Sequence, residues 1–268
     1  MSKFSWREEA WELFLLKFWD KRKSGVDTIE YSKEDLEPIL AKYQKSGQGE
    51  IRIFHYGCEK VNAFKKRSIS MIPLTRHKWK IILREEFLKF EKPTDELIFS
   101  PKNKLTDGML MGVKDTMSQK VNPGETTLLA IAKHSGIIAD FYDLKDEGVL
   151  FTGGRQRAGI HLIVGSHEVD MTKAQIEIDG GFEWSNTVVI AEMKSSFDQD
   201  NFNINQALIP MLKWRALLPN KKVYSLVLLA ETSSRGIEYR AYDLVHDERS
   251  LSNKMEISRS KKYILEIG

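Results

Sequence analysis

The chain predicts an α/β, or α+β, fold whose central mixed sheet lies in the C-terminal two-thirds of its 268 residues. Three observations predict it. From Val149 onward, short apolar segments alternate with glycine-rich or polar turns, which is the punctuation of strands. Helical periodicity precedes and interrupts those segments, in residues 4–21, from Glu125 and in residues 201–217. At 41% hydrophobic and 29% charged, the chain can also bury a sizeable core.

Taken in order, residues 4–21 repeat apolar side chains at Trp6, Ala10, Leu13, Phe14 and Phe18, a helical stripe read as core packing. Ser32 stands three residues before Asp35, a capping-box start for a short helix through Tyr43 that holds Pro38. Residues 46–49 read as a turn, 51–56 as a strand, and 68–83 as one or two strands broken at Pro73. The polar stretch 91–104, with Pro93 and Pro101, reads as the boundary between an N-terminal α+β segment (1–92) and a C-terminal domain (105–268). Pro123-Gly124-Glu125 opens a helix through Lys133, and Ser135-Gly136 closes it as a C-cap. Strands are expected at 148–152, 159–164, 175–179 and 187–194, then a helix over 201–217 kinked or split at Pro210. A hairpin pairs 223–230 with 237–242, and 262–267 can form a last strand.

Several classes are excluded by composition. No apolar run approaches the roughly 20 residues that span a bilayer. The first twenty residues carry Glu8, Glu9 and Glu12, unlike a signal or transit peptide. Cys58 is the single cysteine, so neither an intrachain disulfide nor a thiolate zinc site is possible, and a reducing, cytoplasmic setting is expected. The six histidines form no His-Glu-x-x-His pattern. Net charge is only +3, but residues 60–84 hold Lys60, Lys65, Lys66, Arg67, Arg76, Lys78, Lys80 and Arg84 against Glu59. That segment is either a phosphate-contacting face or an ordinary solvated surface.

The chemistry concentrates in Gln175-Ile-Glu177-Ile-Asp179-Gly-Gly and, after a turn, Val188-Val-Ile-Ala-Glu192-Met-Lys194. Alternation along a strand turns Glu192 and Lys194 to one face with Val188 and Ile190, and Val189, Ala191 and Met193 to the other. A hairpin brings Asp179 to the same end of the sheet. Two carboxylates and an ammonium suit phosphodiester hydrolysis. Carboxylate oxygens bind Mg²⁺, which polarises the phosphate and activates water, while a lysine orients that water or offsets transition-state charge. Glu177 shares a face with Asp179, so either acid can be the ligand. The adjoining Gly180-Gly181 turn favours Asp179.

These segments, with Asp200-Asn-Phe-Asn-Ile-Asn-Gln206, Pro210 and Trp214 after them, resemble a family of type II restriction endonucleases of the PD-(D/E)xK superfamily. Ile72-Pro-Leu-Thr-Arg76 with Lys78 and Trp79, and Glu125 with Ser135-Gly136, are similar to its upstream segments, and the likeness runs in patches from about residue 68 to 215. It departs from the family pattern in having no proline before Asp179. The resemblance implies a restriction-endonuclease-like core, Asp179 and Glu192 as metal ligands, and Lys194 as the residue assisting the attacking water. It further implies a sequence-specific double-stranded DNA endonuclease leaving 5′-phosphate and 3′-hydroxyl ends, with Mg²⁺ as cofactor. A palindromic target would then require a homodimer.

Glu125 is either an acid favoured at a positive helix N-terminus or, as the resemblance suggests, a helix-borne glutamate that joins the site. Gln206 either bridges within the fold or orients the metal site or DNA backbone. Arg155 and Arg157, on what reads as a glycine-rich turn, suit phosphate contact or simple exposure. Arg76, Lys78 and Lys80 can bind phosphate or bases, with Arg76 suited to guanine. A repair or structure-specific nuclease shares all these residues, and a non-catalytic DNA-binding protein would be expected to lack one of the three central ones.

Overall fold

The computed structural model describes residues 5–45, 50–51, 55, 61–83, 88–118, 122–145, 148–164, 167–198, 202–246 and 255–266. The fold is mixed α+β, built on a seven-stranded mixed sheet flanked by helices. Its strands are β4 (Glu96–Phe99), β5 (Val149–Arg157), β8 (Gln175–Glu183), β9 (Thr187–Lys194), β10 (Lys222–Ser233), β11 (Gly236–His246) and β12 (Met255–Leu265). They lie in the order β4-β12-β11-β10-β9-β8-β5. The β4–β12 and β9–β10 pairs are parallel, and the others are antiparallel. A separate three-stranded antiparallel sheet, ordered β1-β3-β2, is formed by β1 (Thr28–Ser32), β2 (Ile69–Pro73) and β3 (Lys78–Leu83). The hairpin of β6 (His161–Val164) and β7 (His167–Asp170) leaves the large sheet between β5 and β8.

The period-2 pattern of β9 decides how the large sheet is covered. Val189, Ala191 and Met193 join a cluster with Leu128, Leu129, Ile131 and Ala132 of the helix Glu125–Ser135. Val188 and Ile190 join another with Ala207, Leu208 and Met211 of the helix Asn205–Leu217. That second helix is the crossover between parallel β9 and β10, the connection such a pair requires. The small sheet is shared as well. Ile69, Met71 and Ile81 face an N-terminal core around Trp11, Phe14 and Phe64, whereas Ile72 and Ile82 belong to the cluster under β9. Helices thus bury β9 on both faces, which suits its nearly continuous apolar sequence.

The capping box at Ser32 forms, with its N–H donating to Asp35 Oδ2 at 2.8 Å, and Gly136 closes the Glu125 helix at φ +92°. Other expectations are corrected. The first helix, Ser5–Phe18, buries Ala10, Trp11, Phe14 and Leu15 while Leu13 is exposed, because the core is organised around Trp11, edge-on to Phe14, Tyr31 and Phe64. Ile51 and His55 are helical, not strand; the rest of 52–60 lies outside the described residues, as do the turn at 46–49, Lys60 and Arg84. The stretch read as a boundary contains β4, and Lys262 N–H anchors it further at Asp95 O. That strand is too short for its alternation to register, since Phe99 is buried and Ile98 exposed. The large sheet therefore takes in residues 96–99. Gly153 and Gly154 lie inside β5 instead of in a turn, and Gly154 takes φ +73° where the register slips. The helix Asp107–Ser118 and strand β7 had no clear sequence signal. Among the described residues no helix is long and apolar enough to cross a membrane.

Arg67 is a cross-link within the N-terminal unit. Its guanidinium bonds Glu12 at 2.8 and 2.9 Å and Asp20 at 2.6 Å, and only 14% of the side chain is exposed. Hydrogen bonds from Arg67 hold both carboxylates below their usual range. Arg67→Ala should therefore cost about 1–3 kcal/mol, between a surface and a buried pair. Urea unfolding measures it, and an unaltered urea midpoint would refute the structural role.

Candidate active site

The candidate site forms where two strands part. The β8–β9 hairpin turns at Trp184, whose N–H donates to Thr187 O at 2.8 Å, and its ladder runs from Glu183↔Val188 to Gly180↔Ala191. Beyond Gly180 the strands separate, and a side chain replaces the ladder: Met193 N–H donates to Asp179 Oδ2 at 2.8 Å. A Cβ at Gly180 would stand 2.9 Å from Leu129 Cδ2 of the Glu125 helix, so any larger residue would make that side chain shift beside Asp179.

Glu192 and Lys194 end β9 on one face. Glu192 is 6% exposed, and Lys194 Nζ donates to its Oε1 at 2.5 Å. The Glu125 helix covers the opposite face, but its first turn reaches round the strand end, placing Glu125 Oε1 4.0 Å from Lys194 Nζ. Asp179, Glu192, Lys194 and Glu125 are thus brought together. Burial pushes the Glu192 carboxyl up to about 8; Lys194 opposes that rise, and the Asp179 and Glu125 charges add to it. Burial pulls Lys194 down, but Glu192, Glu125 and Asp179 outweigh it and hold the ammonium above its ordinary value.

Asn122 and Glu231 hold the segment that follows Lys194, and sequence reasoning missed them. Asn122 Nδ2 donates to Ser195 O at 2.8 Å, while its Oδ1 accepts from Thr232 N–H at 3.1 Å and Thr232 Oγ1 at 3.0 Å. Glu231 Oε1 accepts from Phe197 N–H at 2.7 Å, and the Arg240 guanidinium lies 3.6 Å over the Phe197 ring. The segment after Lys194 is therefore held from two sides. An Asn before Pro-Gly reads as a turn residue, and nothing local reveals partners 73 and 110 positions away. If the cluster is an active site, Asn122→Ala should lower its turnover by about 10-fold or more, the scale of a lost supporting bond. Substrate affinity should hold. A fall in affinity with unchanged turnover would reassign Asn122.

The other candidates are scattered. Glu177 is exposed on β8, with Arg155 Nε 3.7 Å from its Oε2, so it does not join the cluster. Gln206 is exposed in the first turn of its helix. Arg155 and Arg157 are exposed along β5. Arg76 and Lys78 are exposed around the β2–β3 turn, and Lys65 and Lys66 are exposed on the helix Asn62–Arg67. Two of the expected DNA contacts are engaged within the chain. Arg67 is committed to Glu12 and Asp20, and Lys80 is buried with its Nζ 3.0 Å from Glu30 Oε1 on the paired strand β1.

Among the described residues no group of three or more His, Cys, Asp or Glu side chains is arranged to hold a metal ion. Mg²⁺ asks for less, because it keeps several waters and takes one or two carboxylates. The oxygens of Asp179 and Glu192 are donors of that kind, and with Glu125 they set three acids around the ammonium of Lys194. No curated protein and no solved structure matches the chain. A family model described as a domain of unknown function, DUF6997, matches residues 98–264, the stretch that holds the large sheet from β4 to β12 and every residue of the cluster. The chain belongs to the DUF6997 family.

Proposed function

We propose that this protein is a Mg²⁺-dependent endonuclease of the PD-(D/E)xK type that hydrolyses phosphodiester bonds in double-stranded DNA. One observation carries the reading: a buried carboxylate, Glu192, ends a central strand bonded to Lys194, with Asp179 at the adjoining strand and Glu125 behind the lysine. Buried charge is costly unless satisfied, and since burial pushes the Glu192 carboxyl up to about 8, a cation beside it would favour the charged form. The all-oxygen donor set fits a hard divalent cation, which Asp179 and Glu192 would hold. Bound there, Mg²⁺ supplies Lewis acidity toward a phosphate oxygen and a more acidic water. Lys194, kept protonated by its three acidic neighbours, places fixed positive charge where the attacked phosphate gains negative charge. Glu125 steadies Lys194 from the other side. Gln206, exposed beside the site helix, suits a DNA backbone contact.

The restriction-endonuclease-like core, the homodimer and a specific recognition site belong to the same proposal. Support for them comes from the sequence resemblance and from a mixed sheet covered on both faces. Supercoiled plasmid of known sequence, incubated with the full chain in Mg²⁺ and then in EDTA, tests the reading. Discrete ends with 5′-phosphates in Mg²⁺ alone are expected. Ends scattered at random, or cutting confined to branched or damaged DNA, would transfer the site to a repair-type nuclease. No cutting of any of these substrates would reject the activity.

A further inference from the structure

The two ladders of β8 end at different places. Pairing with β9 stops at Gly180, level with Ala191, but pairing with β5 continues through Ile178, Glu177 and Ile176 to Gln175, opposite Gly154, Arg155, Gln156 and Arg157. At about 3.3 Å per residue, the β5–β8 ribbon runs on for roughly 16 Å past its last pairing with β9. Its two faces differ. Ile176 and Ile178 are buried in the cluster beneath the helix Asn205–Leu217. That helix also clamps the ribbon, with Lys213 Nζ bonding Gln156 Oε1 at 2.5 Å and Arg157 O at 2.6 Å. The other face shows Arg155, Arg157, Gln175 and Glu177, all exposed, and the row Gln175, Glu177, Asp179 leads along β8 into the candidate site.

We infer that this ribbon face enters the DNA major groove and reads base edges through Arg155, Arg157, Gln175 and Glu177. The inference rests on the nuclease reading and adds a recognition element to it. A two-stranded ribbon fits the major groove, and these residue types carry its code: arginine for guanine O6 and N7, glutamine for adenine, glutamate for cytosine N4. A surface that merely bound phosphate would carry cations alone, and Glu177 would oppose it. The Arg155–Glu177 contact is solvent-exposed, with 59% and 65% of the side chains accessible, so it is weak enough to open onto base edges. Sixteen ångströms along the duplex spans roughly four or five base pairs at 3.4 Å each. The backing helix and its Lys213 clamp make the face rigid, which lowers the ordering cost of recognition.

Binding without cleavage tests this. A pool of short duplexes with a randomised core is mixed with the full chain in Ca²⁺, and the bound fraction is sequenced. Wild type should enrich one motif. Arg155→Ala and Arg157→Ala should each lose about 10–100-fold of preference at one base position while non-specific affinity changes little. Arg155→Lys keeps the charge but not the two-pronged geometry, so its salt dependence should match wild type while its preference falls. A motif unchanged in these variants, equal losses for every sequence, no motif with wild type, or equal affinity for duplex RNA, whose major groove is too narrow for side chains, would each overturn the inference. Mg²⁺-dependent cutting is assayed separately. Enrichment without cutting removes the nuclease reading alone, and cutting with an unaltered motif in the variants removes the ribbon alone.

Discussion

Glu192→Gln and Lys194→Ala should each lower Mg²⁺-dependent cleavage of plasmid DNA by about 10²–10³-fold or more, the scale of removing one preorganised electrostatic group. Both side chains sit at the buried end of β9, joined by a 2.5 Å hydrogen bond. Gln in place of Glu192 keeps the shape but not the charge a cation requires. Ala at 194 removes the ammonium that sits among the acids of the cluster, so the site loses a charge complement to the phosphate. Affinity for duplex DNA should change much less, because it is dominated by phosphate contacts spread over the surface. A gel cleavage assay and a binding titration on the same preparations separate the two quantities. Cleavage near the wild-type rate by either variant would discard the assignment.

Stability should fall as pH rises from 6.5 to 8 in the absence of divalent cations. Glu192 titrates at about 8 in the folded chain against 4.5 when exposed, so between those values the folded state holds a proton that the unfolded state has released. Its contribution is complete below 4.5 and is lost as pH approaches 8. His55 acts in the opposite sense. Burial lowers it from 6.5 to about 4, within a stack against Trp79 at 4.1 Å, so its contribution is complete above 6.5 and lost toward 4. The two slopes cancel between 4.5 and 6.5, leaving a plateau. Above 6.5 the Glu192 slope stands alone, at about 1.4 kcal/mol per pH unit, or about 2 kcal/mol by pH 8. Lys194 is raised from 10.5 and does not titrate in this range. Glu192→Gln should abolish the descent above 6.5 and leave a rise between 4 and 6.5. Mg²⁺ should lift wild type at pH 8 and leave the variant unmoved, since ligands stabilise the state that binds them. Urea midpoints across this range measure it, and an identical descent in wild type and Glu192→Gln would assign the slope to another group.

The central strand was legible because its signal is local. Eight residues with β-branched enrichment and alternating charge at the end, Thr187–Lys194, need no distant partner to declare a strand, its faces and the pairing of Glu192 with Lys194 on one of them. The Glu125 helix was legible for the same reason, through Pro-Gly before it and Gly136 after it. By itself, then, the sequence determined a mixed α+β chain and a charged strand end facing an Asp-Gly-Gly hairpin. The rest depends on residues far apart in the chain. Arg67 and Lys65 are alike as basic residues of one short helix, and only the approach of Glu12 and Asp20 buries the first. Gly153-Gly154 reads as a turn until pairing with β8 makes it a bulged strand and leaves Arg155 and Arg157 on the ribbon past the last β8–β9 pair. Glu177 and Asp179 share a strand face, and only the departure of β8 from β9 at Gly180 sends one to solvent and the other to the Met193 N–H. Asn122 joins three segments that no local pattern connects. Tertiary structure decided these because side-chain burial and hydrogen bonding across the sheet are set by which strands meet and where they part, and neither is written in the period of any single segment.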